Sequence, residues 1–367
     1  MSRKLIVVGN GLGMAIAPEQ FGLKPVMQRV WREGLEEDER KLLAKHFRDI
    51  DEDNGPSEER HLMVAQVAVM MPELVKCEPI SNITDLGDWF STPSNLDAIK
   101  KSLDKYSFEI AKDLFLCSWK KMADARTDAC WAENLLCQLY RWKEGLLDFL
   151  RDKNSHIATL NYDGFLYQAV IDAGQRTEYL YTDRFKGLPP KWKSYFIESA
   201  ARYLHLHGSP LFWGEPVPYK LSATSLGDGE APDEHHIRYD RQPDFTPHII
   251  LSDGALKPLL IARSEVLSAY WKELENILLN DDHGERPKEI ILFGYGSGDD
   301  HLNRLIGQSG CPVRVVERRE GNNIPDGEKC WKDKLGATDV VVDLRKNILT
   351  FDKWATRPAE SKMEDDA

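Results

Sequence analysis

The chain has 367 residues, of which 42% are hydrophobic, and it carries a formal net charge of −12. This length suits one large domain with an insertion, or two domains, and the apolar fraction is enough for a full-sized core. The negative charge argues against a general surface for nucleic acid or for an anionic membrane, because such surfaces need clustered Lys and Arg.

The sequence carries no evident targeting or metal-binding signal. No apolar run approaches the ~20 residues that cross a bilayer, and Met1–Lys4 leads into a core strand rather than a signal peptide. The six cysteines include no C-x-x-C pair, and His235–His236 lacks zinc-ligand spacing. We therefore expect a cytoplasmic, reduced protein that needs no metal and spans no membrane.

The first predicted element is a strand at Lys4–Val8, a short apolar run that stops at Gly9. From residue 20 to 148 the apolar residues recur at spacings of three and four, which is typical of helices. The predicted helices cover 23–47, 60–77, 94–117 and 135–149. The section 20–148 is therefore predicted to be a large helical insertion after the first strand.

Strand-like apolar runs return after residue 150 and alternate with helical stretches. They lie at Ile157–Leu160, Tyr203–Leu206, His248–Leu251, Glu289–Phe293, Val313–Val316 and Val340–Asp343. This alternation predicts an α/β fold with a doubly wound, parallel, Rossmann-like sheet. We expect 1–16 and 150–345 to form that domain, 214–247 to be a long loop near the site, and 355–367 to be a disordered tail.

A glycine-rich turn follows the first strand and contains Gly9, Asn10, Gly11 and Gly13. Small residues let backbone N–H groups approach phosphate oxygens, and a helix N-terminus adds partial positive charge. The turn is therefore a candidate diphosphate site. Met14 stands where the ordinary dinucleotide fingerprint has a third glycine, so a tight structural turn is the alternative.

Polar side chains follow the next two strands. Asn161 and Asp163 come after Ile157–Leu160, where either could instead cap the following helix. His207 ends the next strand, and His205, two positions earlier on the same face, competes with it for the role of catalytic base. Open α/β sheets bind nucleotides at the carboxyl ends of their strands, so we expect these side chains to converge there.

A second glycine turn, with Gly294, Ser297 and Asp299, follows the buried strand at Glu289–Phe293. Its glycines would let a ligand approach the backbone, and Asp299 would cap the next helix. Glu317 ends the following strand, at the height where a ribose hydroxyl needs a carboxylate. The alternative for the second glycine turn is an ordinary strand-to-helix turn, and the alternative for Glu317 is a surface charge.

Four segments of the chain follow one another in the same order as the motifs of the sirtuin NAD-binding core. These segments are Gly9–Gly13, Thr159–Asp163, His207–Gly208 and Gly294–His301. On these segments the chain resembles the sirtuin family, and most of all its bacterial sirtuin-like branch, known for NAD hydrolysis in antiphage defence. The resemblance covers residues 1–16 and 150–320.

The resemblance implies that NAD lies across the strand ends, with its diphosphate on Gly9–Gly13. Asn161 would orient the nicotinamide ribose and the attacking water, and Asp163 would hold the carboxamide. His207 would act as a general base on a ribose hydroxyl or on water. Breaking the N-glycosidic bond develops oxocarbenium character, so the site needs a positioned nucleophile and oriented polar groups rather than a strong acid.

Two departures from the family bear on the reaction. Gly296 stands where the last turn of the family usually offers a hydroxyl, and Ser297 comes one place late. The zinc module with paired C-x-x-C motifs that sirtuin deacylases carry is absent from the sequence. Protein deacylation is therefore less expected than NAD hydrolysis.

The leading hypothesis is an NAD glycohydrolase that releases nicotinamide and ADP-ribose in antiphage defence. It would act as a homo-oligomer, with a partner defence protein, or both, and the preference for NAD or NADP stays open. One alternative is a catalytically silent module that senses NAD or an ADP-ribose derivative and signals through an oligomer. Another is a zinc-free deacylase. The presence of both Asn161 and His207 favours the enzyme, because a sensor does not need them together.

Overall fold

The structure, a computed structural model, describes most of the chain. The described residues are 3–47, 50, 53–76, 93–127, 135–153, 155–176, 181–182, 201–214, 219–220, 237–239, 245–252, 254, 256–280, 286–318 and 327–354. The predicted tail at 355–367 and the His235–His236 pair lie outside them.

The strands of this described part form two sheets. In chain order they are β1 Leu5–Val8, β2 His156–Thr159, β3 Tyr181–Thr182, β4 Ala201–His205, β5 Gly208–Trp213, β6 Tyr219–Lys220, β7 Pro247–Ile249, β8 Ile290–Phe293, β9 Val313–Arg318 and β10 Val340–Arg345. Seven of them build a parallel sheet in the order β10-β9-β8-β1-β2-β4-β3. The predicted α/β fold with a parallel, Rossmann-like sheet is thereby confirmed.

The central strands are buried on both faces. Every residue of β1 and β8 is buried, as expected for a parallel sheet that is covered by helices on both sides. Ile6 and Val8 point into one hydrophobic core, while Leu5 and Val7 point into the other. Successive side chains of a strand point to opposite faces of the sheet. All four apolar residues of β1 are therefore buried, two in each core.

Helices cover both faces of the sheet. Those of the described residues are α1 Gly11–Ile16, α2 Pro18–Phe21, α3 Leu23–Glu33, α4 Glu37–Ala44, α5 Met63–Lys76, α6 Pro93–Thr127, α7 Leu135–Lys153, α8 Phe165–Arg176, α9 Lys257–Arg263, α10 Glu265–Leu279, α11 Asp300–Ser309 and α12 Gly327–Leu335. None of them combines the length and the apolar composition that crossing a membrane requires.

The described residues between β1 and β2 are largely helical, from α1 to α7, as the three-four spacing predicts. Several of these helices share a single hydrophobic core with β1, β2 and β8, so they pack directly on the sheet. The domain boundaries expected at 16, 20, 148 and 150 stay predictions.

The helix predicted over 23–47 is two helices, α3 and α4. α3 is followed by Gly34, and α4 begins after Glu36. The Glu36 side chain accepts from the backbone of the third helical residue, while the Glu36 N–H donates to Glu39 Oε2 at 2.9 Å. This reciprocal capping box starts a new helix. The apolar spacing in the sequence continues across the break between α3 and α4, so the spacing alone does not reveal it.

The strand predicted at His248–Leu251 belongs to a different sheet. β7 pairs antiparallel with β5 in a three-stranded sheet of order β6-β5-β7. Gly208, with a φ of +88°, turns the chain directly after His207, and a Cβ at this position would lie 1.8 Å from the His248 carbonyl oxygen. Part of the long loop predicted at 214–247 is strand β6, and most of the rest lies outside the described residues.

Candidate functional site

The candidate residues follow the carboxyl ends of adjacent parallel strands. The chain runs from β1 to β2 and β4 on one side and resumes at β8 on the other, so the strand order reverses between β1 and β8. Open α/β sheets bind ligands in the crevice outside the strand ends at such a switch point. Asn161 follows β2, His207 follows β4, and the two glycine turns follow β1 and β8.

The first glycine turn packs directly against the second. The Gly11 N–H donates to the Gly294 carbonyl oxygen at 2.8 Å. A Cβ on Gly11 would lie 2.6 Å from Gly294 Cα, and a Cβ on Gly9 would lie 2.7 Å from the Gly294 carbonyl oxygen. Only glycine allows backbones to approach so closely. This contact accounts for Gly9 and Gly11 without a ligand, as the alternative of a tight structural turn anticipates.

Gly13 and Asn10 complete the first turn. A Cβ on Gly13 would lie 2.8 Å from Phe21 Cβ, so glycine is needed where α1 meets α2. Asn10 is exposed and precedes α1 without a side-chain capping bond. Because α1 has only six residues, it supplies little of the helix dipole on which the predicted diphosphate site relies. The exposed surface at Asn10 is what this turn offers to a ligand.

Asn161 lies just past the end of β2, and its side chain is buried, with 6% exposure. Its Nδ2 donates to the Gly9 carbonyl oxygen at 2.9 Å, which ties the turn after β2 to the turn after β1. Its Oδ1 is buried and has no hydrogen-bond partner among the described residues. Buried acceptors without a partner are rare and costly, so Oδ1 is positioned to accept from a ligand or a water.

Asp163 is buried two residues beyond Asn161, at the start of α8. Its Oδ1 accepts from the Phe165 N–H at 3.2 Å, so part of the predicted capping role is real. Burial raises the pKa of Asp163 to about 7, although hydrogen bonds from the Phe165 backbone and the Asn161 side chain oppose the shift. A carboxyl group that titrates near neutral pH is typical of functional sites.

His207 pairs with Asp299 across the edge of the sheet. His207 Nε2 lies 3.0 Å from Asp299 Oδ2, and both side chains are buried. Burial lowers the pKa of His207, and Asp299 offsets part of this effect. Burial alone would raise the pKa of Asp299, but the hydrogen bond and charge of His207 help to lower it to about 2. We therefore assign a neutral imidazole beside an ionised carboxylate at neutral pH.

His205, the rival for the role of base, is enclosed by aromatic rings. Its ring centroid lies 4.7 Å from that of Tyr203 and 5.1 Å from that of Phe212. Its Nε2 has no hydrogen-bond partner in the described part of the chain, and burial lowers its pKa to about 3. The surroundings of His205 are those of a core residue, which leaves His207 as the better-placed base.

Asp299, which lies in the second glycine turn, has two hydrogen-bond partners outside that turn. Its Oδ1 accepts from the Leu302 N–H at 3.1 Å, which confirms Asp299 as the N-cap of α11. Its Oδ2 faces His207. The protein itself therefore uses both carboxylate oxygens of Asp299, one for the predicted helix cap and one for His207.

Tyr295 and Asn303, which sequence reasoning missed, brace the second turn. The Tyr295 hydroxyl donates to Asn303 Oδ1 at 2.8 Å, and Asn303 Nδ2 donates to the Ser297 carbonyl oxygen at 2.9 Å. These bonds hold Ser297 at a φ of +58°, a left-handed conformation that few non-glycine residues adopt. Asn303 lies one helical turn after the cap at Asp299, and this spacing is the signal that could have identified it.

The outer side of the second turn is open, and Glu317 lies beside it. A Cβ on Gly296 or Gly298 would meet no atom of the described residues within 4 Å, so a ligand could approach the backbone there. Glu317 is half-buried near the end of β9, and the preceding residue, Val316, accepts from the Gly294 N–H at 3.0 Å. Glu317 is thus at the same sheet edge as the other candidates, one strand beyond β8.

Within the residues that the structure describes, no three His, Cys, Asp or Glu side chains converge as a metal site would require. No family model matches the chain, and no curated protein matches it significantly.

Proposed function

We propose that the protein is a sirtuin-like NAD glycohydrolase that cleaves NAD with water to nicotinamide and ADP-ribose. The observation that carries the proposal is the buried Oδ1 of Asn161, which has no hydrogen-bond partner among the described residues and lies at the same sheet edge as the His207–Asp299 pair. Thr159 and His205 are paired and are the last residues of β2 and β4, so Asn161 and His207 each lie two residues beyond the end of their strand.

The chemistry of the two residues suits the reaction. Cleavage of the N-glycosidic bond leaves an electron-poor C1′, which a water attacks as nicotinamide departs. Asn161 Oδ1 is an acceptor and can orient that water or a ribose hydroxyl, while its Nδ2 is held by Gly9. His207, neutral at physiological pH, can take the proton. NAD would lie over the second turn, with Asp163 at the carboxamide and Glu317 at a ribose.

The biological setting follows from the resemblance to the bacterial branch. We propose a role in antiphage defence, in which NAD loss halts the infected cell, with activity controlled by oligomerisation, by a partner defence protein, or by both. An NAD hydrolase without control would be toxic, so a silent resting state belongs to the proposal.

The competing function is a binding module that senses NAD or an ADP-ribose derivative. One observation favours it. Asn161 and His207 both have structural partners, Gly9 and Asp299, which could account for these side chains without catalysis.

Variants of Asn161 and His207 test the enzyme against the sensor. Asn161→Ala or His207→Ala should each lower NAD cleavage by ~10²–10⁴-fold, the usual contribution of a positioned base or nucleophile-orienting group. The double variant should lose little more, because both residues serve one step. The assay is release of free nicotinamide from NAD by the purified, assembled and triggered protein.

The control is His205→Phe, which keeps an aromatic ring against Tyr203 and Phe212. It should retain NAD cleavage. Loss of cleavage in His205→Phe with near-normal cleavage in His207→Ala would move the base to His205. Binding of NAD without cleavage by the intact protein would establish the sensor instead.

A further inference from the structure

The His207 ring is held by a side chain 92 residues away in the sequence. Asp299 belongs to the turn after β8, while His207 follows β4, and β1 and β2 lie between these strands. Asp299 is itself fixed by its capping bond from the Leu302 N–H and by its own backbone N–H, which donates to the Tyr295 hydroxyl oxygen at 3.3 Å. A rigid carboxylate therefore meets one nitrogen of the ring.

This contact determines which ring nitrogen carries the proton. An ionised carboxylate only accepts hydrogen bonds, and Asp299 is ionised at neutral pH because its pKa is lowered to about 2. His207 Nε2, at 3.0 Å, must then be the donor. A neutral ring with its proton on Nε2 has its free electron pair on Nδ1.

We propose that Asp299 is a positioning residue that holds His207 in its Nε2–H form and makes Nδ1 the basic atom. The catalytic part of this inference rests on the proposed NAD hydrolysis, whereas the tautomer does not. In the proposed step, a water O–H bond breaks and its proton goes to Nδ1. The water oxygen bonds to C1′, and the electron pair of the C1′–N bond leaves with neutral nicotinamide.

The charged surroundings of His207 fit this role. Burial has the largest effect and lowers the pKa of the His207 ring, as does the nearby charge of Lys257, whereas Asp299 and a backbone hydrogen bond to Leu160 raise it. Lys257 is itself paired with Glu59 at 3.8 Å. Asp299 is thus the side chain that raises the pKa of a histidine whose pKa burial lowers.

The substitution Asp299→Asn tests the proposal, with Asp300→Asn as the matched control. Asn is a good N-cap residue, so α11 should keep its start, and Asp300 is the exposed neighbour in the first turn of the same helix. Loss of the carboxylate should move the acidic limb of the kcat/KM–pH profile of NAD cleavage down by about one pH unit or more. It should lower kcat by up to about 10⁴-fold, with little change in KM. Asp300→Asn should change neither.

A second readout does not depend on catalysis. In the full chain with ¹⁵N-labelled histidine, the NMR signal of His207, assigned with His207→Gln, should show the Nε2–H form, and Asp299→Asn should lower its pKa. An Nδ1–H form, or an unchanged tautomer and pKa in Asp299→Asn, would overturn the proposal. The expected NMR result without NAD cleavage would leave Asp299 as the partner that sets the tautomer and would refute the hydrolase alone.

Discussion

At the scale of the residue, Asp163 is a buried carboxyl group, and its effect on the free energy of unfolding depends on pH. Burial raises its pKa from 3.8 to about 7, so the folded protein binds this proton more tightly than the unfolded chain does. The stabilisation is complete below the unfolded pKa and is lost as pH rises through about 7. At pH 8 the folded protein must hold a buried negative charge.

The substitution Asp163→Asn should therefore raise the thermal unfolding midpoint much more at pH 8 than at pH 5. Asn keeps the acceptor for the Phe165 N–H and removes the charge, and each pKa unit corresponds to about 1.4 kcal/mol. The same variant should weaken NAD cleavage, because a group kept at a cost in stability is expected to serve the site. Thermal melts at both pH values, with Asp300→Asn as the exposed control, check this. A variant that is less stable than the parent at both values would contradict it.

At the scale of the element, backbone packing requires glycine at Gly11 in the first turn but not at Gly296 in the second. A Cβ on Gly11 would overlap the backbone of Gly294, whereas a Cβ on Gly296 would meet nothing within 4 Å in the part of the chain that the structure describes. Gly11→Ala should lower the free energy of unfolding by about 1–3 kcal/mol, because neither backbone can yield easily.

The variant Gly296→Ala is the counterpart and should change that free energy by less than about 0.5 kcal/mol. It should instead raise the KM for NAD, if the ligand lies over the second turn. Urea unfolding and NAD kinetics of both variants separate the two effects. The expectation fails if Gly11→Ala is as stable as the parent, or if Gly296→Ala leaves the KM unchanged.

Strand ends could be predicted from the sequence, but side-chain partners could not. Asn161 and His207 were found because each follows an apolar run, and parallel strands bring such ends to one edge. The contact of His207 with Asp299 spans 92 residues, and no local pattern records it. The assignment of His248–Leu251 to the parallel sheet was wrong because the turn at Gly208 depends on a backbone angle that an apolar run does not reveal.

At the scale of the whole molecule, buried histidines should make the fold sensitive to acid. Burial lowers the pKa of His156 and His205 to about 3 and that of His248 to about 4. Such residues bind protons only after unfolding, so stability is lost as pH falls below their unfolded pKa of 6.5. Asp163 acts in the opposite sense, but His207, whose pKa burial also lowers, adds to the effect of these three histidines.

The free energy of unfolding in urea should therefore be lower at pH 5 than at pH 7.5. Each of these histidines contributes about 2 kcal/mol to the fall, at about 1.4 kcal/mol per pKa unit. His205→Phe should reduce the fall by the share of one histidine. Equal stability at the two pH values, or higher stability at pH 5, would show that these rings are protonated in the folded state.

The most direct test of the proposed NAD hydrolysis is the identity of the products that the purified, assembled and triggered protein forms from NAD. We expect equal amounts of free nicotinamide and ADP-ribose, formed equally well in the presence of a chelator, and almost none with Asn161→Ala. NAD that stays intact although it is bound, or products that Asn161→Ala forms at the rate of the parent protein, would contradict it.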